Sequence, residues 1–234
     1  MNEEQFKDLL EQHNILLTEK QEQQFRRYFE LLQTWNEKLN LTSITQKNDV
    51  YEKHFFDCLT LGFVNDFEGK TLCDVGAGAG FPSIPLKIAF PQLKVTCLDS
   101  MNKRMEFVKM VIDELGLEDI DIVVDRAEDY GRKNREKYDY VTARAVSRLN
   151  VLMELSSPMV KVGGKFIALK GPLAKEEASE CDGACRELKL DLTEKQKIIL
   201  PKSFGKRYNL IYTKLDYTPV KYPRDYNKMK KKPL

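Results

Sequence analysis

The chain has 234 residues, of which 42% are hydrophobic and 32% are charged, and its formal net charge at pH 7 is +2. That length suffices for one large domain with a hydrophobic core, or for one domain with an extension. No apolar stretch approaches the length of a membrane span, and the first residues are acidic and polar, so we expect neither membrane insertion nor a secretory signal.

Helical sequence patterns fill the first quarter of the chain, over residues 2–12, 18–40 and 49–63. In the second of these, Thr18 and Gln21 have the spacing of a capping box, which fixes the start of a helix. The apolar side chains that recur there at helical spacing are Phe25, Tyr28, Phe29, Leu32, Trp35 and Leu39. We therefore predict an N-terminal helical extension over residues 1–65.

Strands alternate with helices from Lys70 onward. The predicted strands are 71–75, 94–98, 121–125, 138–143, 163–170, 197–200 and 207–215, with a helix over 173–190. This alternation predicts an α/β fold with a doubly wound, mostly parallel sheet, which binds its ligand at the carboxyl ends of the strands. We assign residues 66–218 to this domain and residues 219–234 to a basic C-terminal tail.

A glycine-rich turn follows the first predicted strand. Gly76, Gly78 and Gly80 alternate as G-x-G-x-G, whereas dinucleotide sites have G-x-G-x-x-G, and Asp74 precedes them. A carboxylate beside the turn would repel a pyrophosphate, but it suits a ligand with an ammonium or sulfonium group, such as S-adenosyl-L-methionine. The alternative is a turn whose glycines only close the loop.

The ends of the next two strands extend this predicted site. Asp99 ends the second strand, 19 residues after Gly80, where an acid can bind both ribose hydroxyls. It indicates a nucleoside without distinguishing a nicotinamide cofactor from S-adenosyl-L-methionine. After the third strand, the backbone of Ala127 and the carboxylate of Glu128 can read the amino edge of adenine. For Asp99 and Glu128 the alternative role is to cap the following helix.

The charge is unevenly distributed. Residues 201–234 hold ten basic and two acidic residues, which leaves 28 basic and 34 acidic residues for the remainder. Five tyrosines lie in the same basic segment, and cations mixed with aromatic rings suit a phosphate backbone with unstacked bases. The alternative is a solvated, lysine-rich tail.

The five cysteines and two histidines are too scattered for a zinc site. Cys181 and Cys185 lie four residues apart without a second pair, and His13 and His54 are far from them in sequence. We predict no metal ion, and cysteines of this kind suit a reducing cytoplasm.

The glycine turn, Asp99 and the strand count together resemble class I S-adenosylmethionine-dependent methyltransferases, whose Rossmann-like fold has seven strands with the last one antiparallel. Five segments in order also resemble the bacterial RsmG (GidB) family: Asn36–Thr42, His54–Leu59, Asp74–Pro82, Thr142–Val146 and Tyr222–Arg224. The match runs over almost the whole chain. Members of this family methylate the N7 atom of a guanine in 16S ribosomal RNA.

The resemblance implies cofactor contacts at Gly76, Phe81, Ala127, Glu128 and Arg144, to which the reasoning above adds Asp74, Gly78, Gly80 and Asp99. It implies S-adenosyl-L-methionine as cofactor and S-adenosyl-L-homocysteine as product. The implied partner is 16S ribosomal RNA, as a small ribosomal subunit or an assembly intermediate, and we expect a monomer. The chain departs from the family at Cys58, where serine is usual, and over Tyr222–Asn227, where a more basic stretch with Gly-Pro is usual.

Methylation of a guanine N7 needs no general base, because this nitrogen has a free lone pair and no proton. We therefore expect direct in-line transfer driven by proximity, and no certain catalytic residue. Arg144, Arg148 and Lys170 are candidate cations at the rim where the acceptor would enter. His54 and Asp57 lie three residues apart and are predicted to dock the N-terminal helices on the sheet.

Three other functions stay open at this point. One is methylation of another RNA, a protein or a small molecule, and the second is non-catalytic nucleotide binding by an RNA chaperone. The third is a nicotinamide oxidoreductase, which the glycine spacing and Asp74 disfavour.

Overall fold

The computed structural model describes residues 1–201 and 205–234. Within them, one sheet contains β1 Thr71–Val75, β2 Lys94–Asp99, β3 Ile120–Val124, β4 Tyr138–Arg144, β5 Val160–Lys170, β6 Leu190–Ile199 and β7 Lys206–Lys214. The spatial order is β3-β2-β1-β4-β5-β7-β6, in which β7 is antiparallel to both of its neighbours and the other pairs are parallel. The predicted seven-stranded, mostly parallel sheet is confirmed.

Helices cover both faces of this sheet. They are α1 Glu3–Glu11, α2 Glu19–Leu39, α3 Lys47–Val50, α4 Asp57–Leu59, α5 Ser83–Ala89, α6 Asn102–Leu115, α7 Ala127–Lys133, α8 Leu149–Ser156, α9 Ala174–Ser179, α10 Asp182–Leu188 and α11 Tyr226–Lys231. The capping box predicted for α2 is present, because the Gln21 backbone N–H donates to Thr18 Oγ1 and the Thr18 N–H donates to Gln21 Oε1. These bonds satisfy two backbone donors that a helix start leaves open.

The third predicted helix changes its winding along its length. Between α3 and α4 lies a π-helical turn, Tyr51–Phe56, and a 3-10 turn, Thr60–Phe63, follows α4. The Lys53 carbonyl oxygen accepts a hydrogen bond from Arg144 Nη2 at 2.7 Å, so the wider turn coincides with a carbonyl that is turned toward the sheet. Such π-turns often mark functional sites.

The structure corrects the prediction for residues 173–200. The single predicted helix is two short ones, α9 and α10, and β6 begins at Leu190 rather than at Lys197. As an edge strand, β6 has only two buried side chains, those of Leu190 and Ile198 near its ends, and its polar middle is largely exposed. The expected alternation of apolar residues is therefore weak, and the run of charges resembles an exposed helix.

Two large hydrophobic clusters lie on opposite faces of the sheet. One joins the N-terminal helices to α5 and α6, and its centre holds Phe25, Tyr28 and Phe55. The other lies beneath α8 and α10. The N-terminal helices therefore share their core with the sheet. Truncating one such buried aromatic ring typically costs about 3–5 kcal/mol.

The C-terminal residues, which we assigned to a basic tail, pack against the body of the protein. Tyr222 and Met229 are buried, and Arg224 pairs with the buried carboxylate of Glu154. Across the residues that the structure describes, no helix has the length and apolar character needed to cross a membrane.

Candidate active site

A cavity of about 630 Å³ opens at the carboxyl ends of β1, β2 and β4. Its wall combines the glycine turn, the residues after β2, β3 and β4, and single residues from both ends of the chain. The residues outside those strand ends are Leu41, Thr42, His54, Leu155 and Tyr226. A cavity at this edge of the sheet is where doubly wound folds bind their ligands.

The glycine turn forms the floor of the cavity. Gly76 and Gly78 have φ angles of +74° and +59°, in the left-handed region that favours glycine. The N–H groups of Gly76 and Ala77 donate to the Leu98 carbonyl at 2.7 and 3.1 Å, which ties the turn to β2. A Cβ at Gly76 would lie 2.5 Å from Val146 Cγ2, whereas a Cβ at Gly78 would meet only the Gly76 oxygen, at 3.8 Å. Gly78 thus leaves open space on the cavity side.

Gly80 lies outside the cavity wall, so this geometry gives no support to the predicted ligand contact there. A Cβ at this position would lie 2.5 Å from Ile84 Cγ1 and 3.1 Å from the Tyr28 hydroxyl oxygen. That hydroxyl donates to the Ala79 carbonyl at 2.5 Å. Gly80 is therefore required where α2 packs closely against the turn.

Asp74 is also absent from the cavity wall, so this geometry gives no support to the predicted direct contact with a ligand cation. Its carboxyl group is fully buried beneath the turn, where Oδ2 accepts the Ser83 N–H at 3.1 Å and Oδ1 has no hydrogen-bond partner among the described residues. Burial raises the pKa of Asp74 to about 7. The carboxyl group faces the start of α5 instead of the ligand space.

Asp99 lies on the cavity wall and braces the turn. Its Oδ2 accepts the Gly78 N–H at 3.0 Å, and its Oδ1 accepts the Met101 N–H at 2.9 Å. Arg104 Nη1 lies 3.7 Å from Oδ2. Each carboxylate oxygen can accept a second hydrogen bond, so Asp99 retains acceptor capacity toward the cavity.

The residues after β3 line the far end of the cavity. Ala127 and Glu128 both lie on the wall, as does Arg126. Arg126 Nε donates to Glu128 Oε1 at 2.7 Å, and this carboxylate is almost fully buried. The pair places a hydrogen-bond acceptor of fixed orientation at this end.

Arg144 joins the cavity wall to the π-helical turn. Its Nη2 donates to His54 Nδ1 at 3.0 Å and lies 3.3 Å from Asp57 Oδ2. Because Arg144 is the donor, His54 Nδ1 carries no proton, and His54 Nε2–H donates to Thr42 Oγ1 at 2.9 Å. Burial and the Arg144 charge lower the pKa of His54 to about 3. His54 and Asp57 therefore dock the helices through Arg144 and do not pair with each other.

Phe81 lies beside this network. Its ring stacks on the His54 ring with centroids 4.5 Å apart and an interplanar angle of 19°. The Arg144 guanidinium carbon lies 5.8 Å from the Phe81 ring centroid. The turn, the π-helical segment and β4 are thus fixed against one another at the cavity.

The other two candidate rim cations lie outside the cavity wall. Lys170 Nζ donates to Glu177 Oε2 at 2.7 Å and to the Ser147 carbonyl at 3.0 Å, so its charge is already paired. Arg148 is exposed at the start of α8. Within the described residues, no group of three His, Cys, Asp or Glu side chains is arranged to hold a metal ion.

Several wall residues were missed by sequence reasoning, namely Thr42, Met101, Arg104 and Tyr226. Met101 and Arg104 lie two and five residues after the acid at the end of β2, and that position is a usable signal. Thr42 and Tyr226 approach from distant parts of the chain, so no local pattern marks them.

Comparison with known proteins decides the family. Residues 21–201 match the model of the GidB family, described as rRNA small subunit methyltransferase G. The chain belongs to the GidB family. A relative named Ribosomal RNA small subunit methyltransferase G, from Staphylococcus aureus strain Newman, is 51% identical over 236 residues, which covers 100% of this chain and 99% of the relative. The protein of strain JH9 matches to the same extent.

Solved structures agree with this GidB fold. The M. jannaschii TYW2 structure, in complex with AdoMet, has a TM-score of 0.56 at 12% identity and covers 73% of this chain and 76% of its own. The precorrin-6y C5,15-methyltransferase of Geobacter metallireducens has a TM-score of 0.53 at 13% identity and covers 68% and 87%. Identity this low supports the fold alone, which is that of class I methyltransferases. With the family established, this GidB chain is a methyltransferase, as predicted.

Proposed function

We propose that the protein transfers a methyl group from S-adenosyl-L-methionine to the N7 atom of a guanine in 16S ribosomal RNA. The observation that carries this proposal is the 51% identity, over the whole chain, to proteins named Ribosomal RNA small subunit methyltransferase G. The RNA is presented by the small ribosomal subunit or by an assembly intermediate, in the cytoplasm, and the enzyme acts as a monomer.

The shape and donor set of the cavity fit the cofactor. The open space above Gly78 admits a ligand close to the backbone, and Asp99 retains acceptor capacity for ribose hydroxyls. At the far end, Ala127 and Glu128 offer a backbone and a carboxylate acceptor to an adenine amino group.

The residues of this chain act by positioning. S-adenosyl-L-methionine supplies an electrophilic methyl group on a sulfonium, and the guanine N7 has no proton to lose. Arg144, held by the Lys53 carbonyl and His54, fixes Phe81 and the glycine turn relative to β4. Such alignment lowers the entropic cost of bringing the reactants together.

A covalent intermediate on the protein is not needed and finds little support in the local chemistry. Cys58 is the cysteine nearest to this network, where its sulfur lies 3.5 Å from Arg144 Nη1, but it is fully buried. Burial raises the pKa of the Cys58 thiol far above its usual range, so the thiolate nucleophile is not formed. The proposal is therefore that the methyl group passes directly from the cofactor to the base.

The proposal is tested by incubating the protein with tritium-labelled S-adenosyl-L-methionine and small ribosomal subunits from cells that lack the enzyme. We expect one methyl group per 16S ribosomal RNA. Parallel calorimetry with S-adenosyl-L-methionine and NADH separates the rival functions. Binding of NADH alone would exclude the transferase, and cofactor binding without transfer would favour the RNA chaperone.

A further inference from the structure

Tyr226 contributes to the cavity although it lies near the end of the chain. It lines the same end of the cavity as Ala127 and Glu128, which we propose as the adenine contacts. Tyr226 thus adds a residue of the C-terminal segment to a wall that is otherwise built from earlier parts of the chain.

A buried ion pair holds the segment that carries Tyr226. The Arg224 backbone N–H and Nε donate to Glu154 Oε1 at 2.9 and 2.8 Å, and Arg224 Nη2 donates to Glu154 Oε2 at 2.6 Å. Glu154 is 1% exposed. Arg132 Nη2 also donates to Asp225 Oδ1 at 2.8 Å. The backbone on the N-terminal side of Tyr226 is therefore fixed against α7 and α8.

A small hydrophobic cluster packs against Tyr226. Val151, Leu155 and Met229 are buried together, and both Ala127 and Tyr226 pack against them. The cluster therefore couples the position of Tyr226 to that of the proposed base contact. Neither residue can shift without disturbing the same three side chains.

Polar groups complete this end of the cavity. The Arg126 guanidinium carbon lies 5.9 Å from the Tyr226 ring centroid, and Arg126 Nε is bound to Glu128. The wall thus combines an aromatic ring with a carboxylate acceptor of fixed orientation. That combination recognises a flat heteroaromatic base that carries an exocyclic amino group.

We propose that Tyr226 is a cofactor-binding residue whose ring packs against the adenine base of S-adenosyl-L-methionine. This inference rests on the proposed function, because it takes the cavity to be the cofactor site. It makes the C-terminal segment part of the cofactor site, in addition to any contact with RNA.

Calorimetry on the full chain tests this role with S-adenosyl-L-homocysteine and with adenosine as ligands. We expect Tyr226→Ala to weaken binding of both by the same factor, roughly tenfold, since the lost contact is to the shared base. Tyr226→Phe keeps the ring and should bind as the unaltered chain does. Tyr217→Ala is the matched control, because Tyr217 is an exposed tyrosine of the same basic segment and lies off the cavity wall.

Four outcomes would overturn the inference. Equal affinity of Tyr226→Ala and the unaltered chain would remove the ring from the site, and so would an equal loss in Tyr217→Ala. A loss for S-adenosyl-L-homocysteine but not for adenosine would place Tyr226 away from the base. Absence of binding by the unaltered chain would overturn the proposed function as well, so the two failures are distinguishable. Unchanged melting temperatures would confirm that the variants are folded.

Discussion

The Asp74 carboxyl group makes the stability of the folded chain depend on pH. Burial raises the pKa of Asp74 to about 7 from its ordinary 3.8, so the folded chain retains a proton that the unfolded chain releases. The protonated form contributes stability that is fully present below pH 3.8 and is lost as the pH rises through about 7. His54 acts in the opposite sense, because its pKa is lowered to about 3, and its contribution is lost as the pH falls from 6.5.

Asp74→Asn should therefore remove one of these two pH dependences. Relative to the variant, the unaltered chain should lose unfolding free energy between about pH 4 and pH 7, at a slope of at most about 1.4 kcal/mol per pH unit. Denaturant titrations at several pH values measure the difference. A constant difference across this range would mean that Asp74 is ionised in the folded chain.

Gly78 and Gly69 form a matched pair for a test of the cavity floor. Both have a positive φ, +59° and +63°, and neither faces a crowded neighbour. Replacement by alanine should destabilise the chain by about 1 kcal/mol at either position, because of the left-handed backbone. Only Gly78→Ala adds a methyl group to the cavity, so only it should weaken binding of S-adenosyl-L-homocysteine, by about tenfold or more. Equal affinities in calorimetry would contradict a ligand at the glycine turn.

The sequence was sufficient to locate strand-end residues but not to orient their side chains. Gly76, Gly78 and Asp99 were predicted to face the ligand space, and each lies on the cavity wall. Asp74 and Gly80 come from the same motif, yet they face α5 and α2. The difference arises from tertiary packing on the far side of the turn, which the motif does not encode.

At the scale of secondary structure elements, contacts between residues far apart in the sequence hold segments whose structure the local sequence patterns did not predict. The C-terminal segment has many basic residues, which predicted a tail, but Arg224 binds the carboxylate of Glu154 in α8 and Met229 is buried. The π-helical turn before α4 likewise depends on Arg144, about ninety residues later. Neither contact leaves a local periodicity, whereas the capping box of α2 does and was predicted correctly.

Glu154→Gln should loosen the C-terminal segment. The substitution leaves the Arg224 guanidinium beside a neutral, mostly buried side chain. We expect this to lower the free energy of unfolding by about 2 kcal/mol. Hydrogen exchange of the amides in α11 should accelerate, while that in α6 stays unchanged. Asp113→Asn breaks the exposed pair with Lys109 and serves as the control, for which we expect almost no effect. Equal exchange of α11 in both variants would show that the Glu154–Arg224 pair does not anchor the segment.

The charge distribution of the whole molecule suits a nucleic-acid partner at one edge of the sheet. Lys228, Lys230, Lys231 and Lys232 are exposed on and after α11, close to the cavity that Tyr226 lines. The rest of the chain is acidic overall, because residues 201–234 hold ten of the 38 basic residues and only two of the 36 acidic ones. Phosphate contacts of this kind release counterions on binding.

Replacing these four lysines by glutamine should reduce the dependence of RNA affinity on salt. The slope of log K against log salt should become shallower by up to about 3, at about 0.7 per phosphate contact. The control variant changes the exposed Lys20, Lys70, Lys94 and Lys189, which lie at the starts of elements and away from the cavity. Equal slopes for both variants would show that the C-terminal lysines do not contact RNA.

The overall fold was largely predictable because strand and helix patterns alternate from Lys70 onward and a recognisable glycine turn follows the first strand. The antiparallel orientation of β7 was expected from the resemblance to class I methyltransferases. The early start of β6 at Leu190 was missed because an exposed edge strand has a polar sequence. The assembly of the cavity from both ends of the chain was also beyond local reasoning.

The position of the methyl group on the acceptor RNA is the decisive test of transfer to guanine N7. After transfer to small ribosomal subunits, the 16S ribosomal RNA would be treated by reduction and base-catalysed strand cleavage, which is selective for guanine methylated at N7. We predict cleavage at one guanine with the unaltered chain, and much less with Gly78→Ala than with Gly69→Ala. Methyl transfer without such cleavage would place the methyl group on another atom or base and would contradict the account.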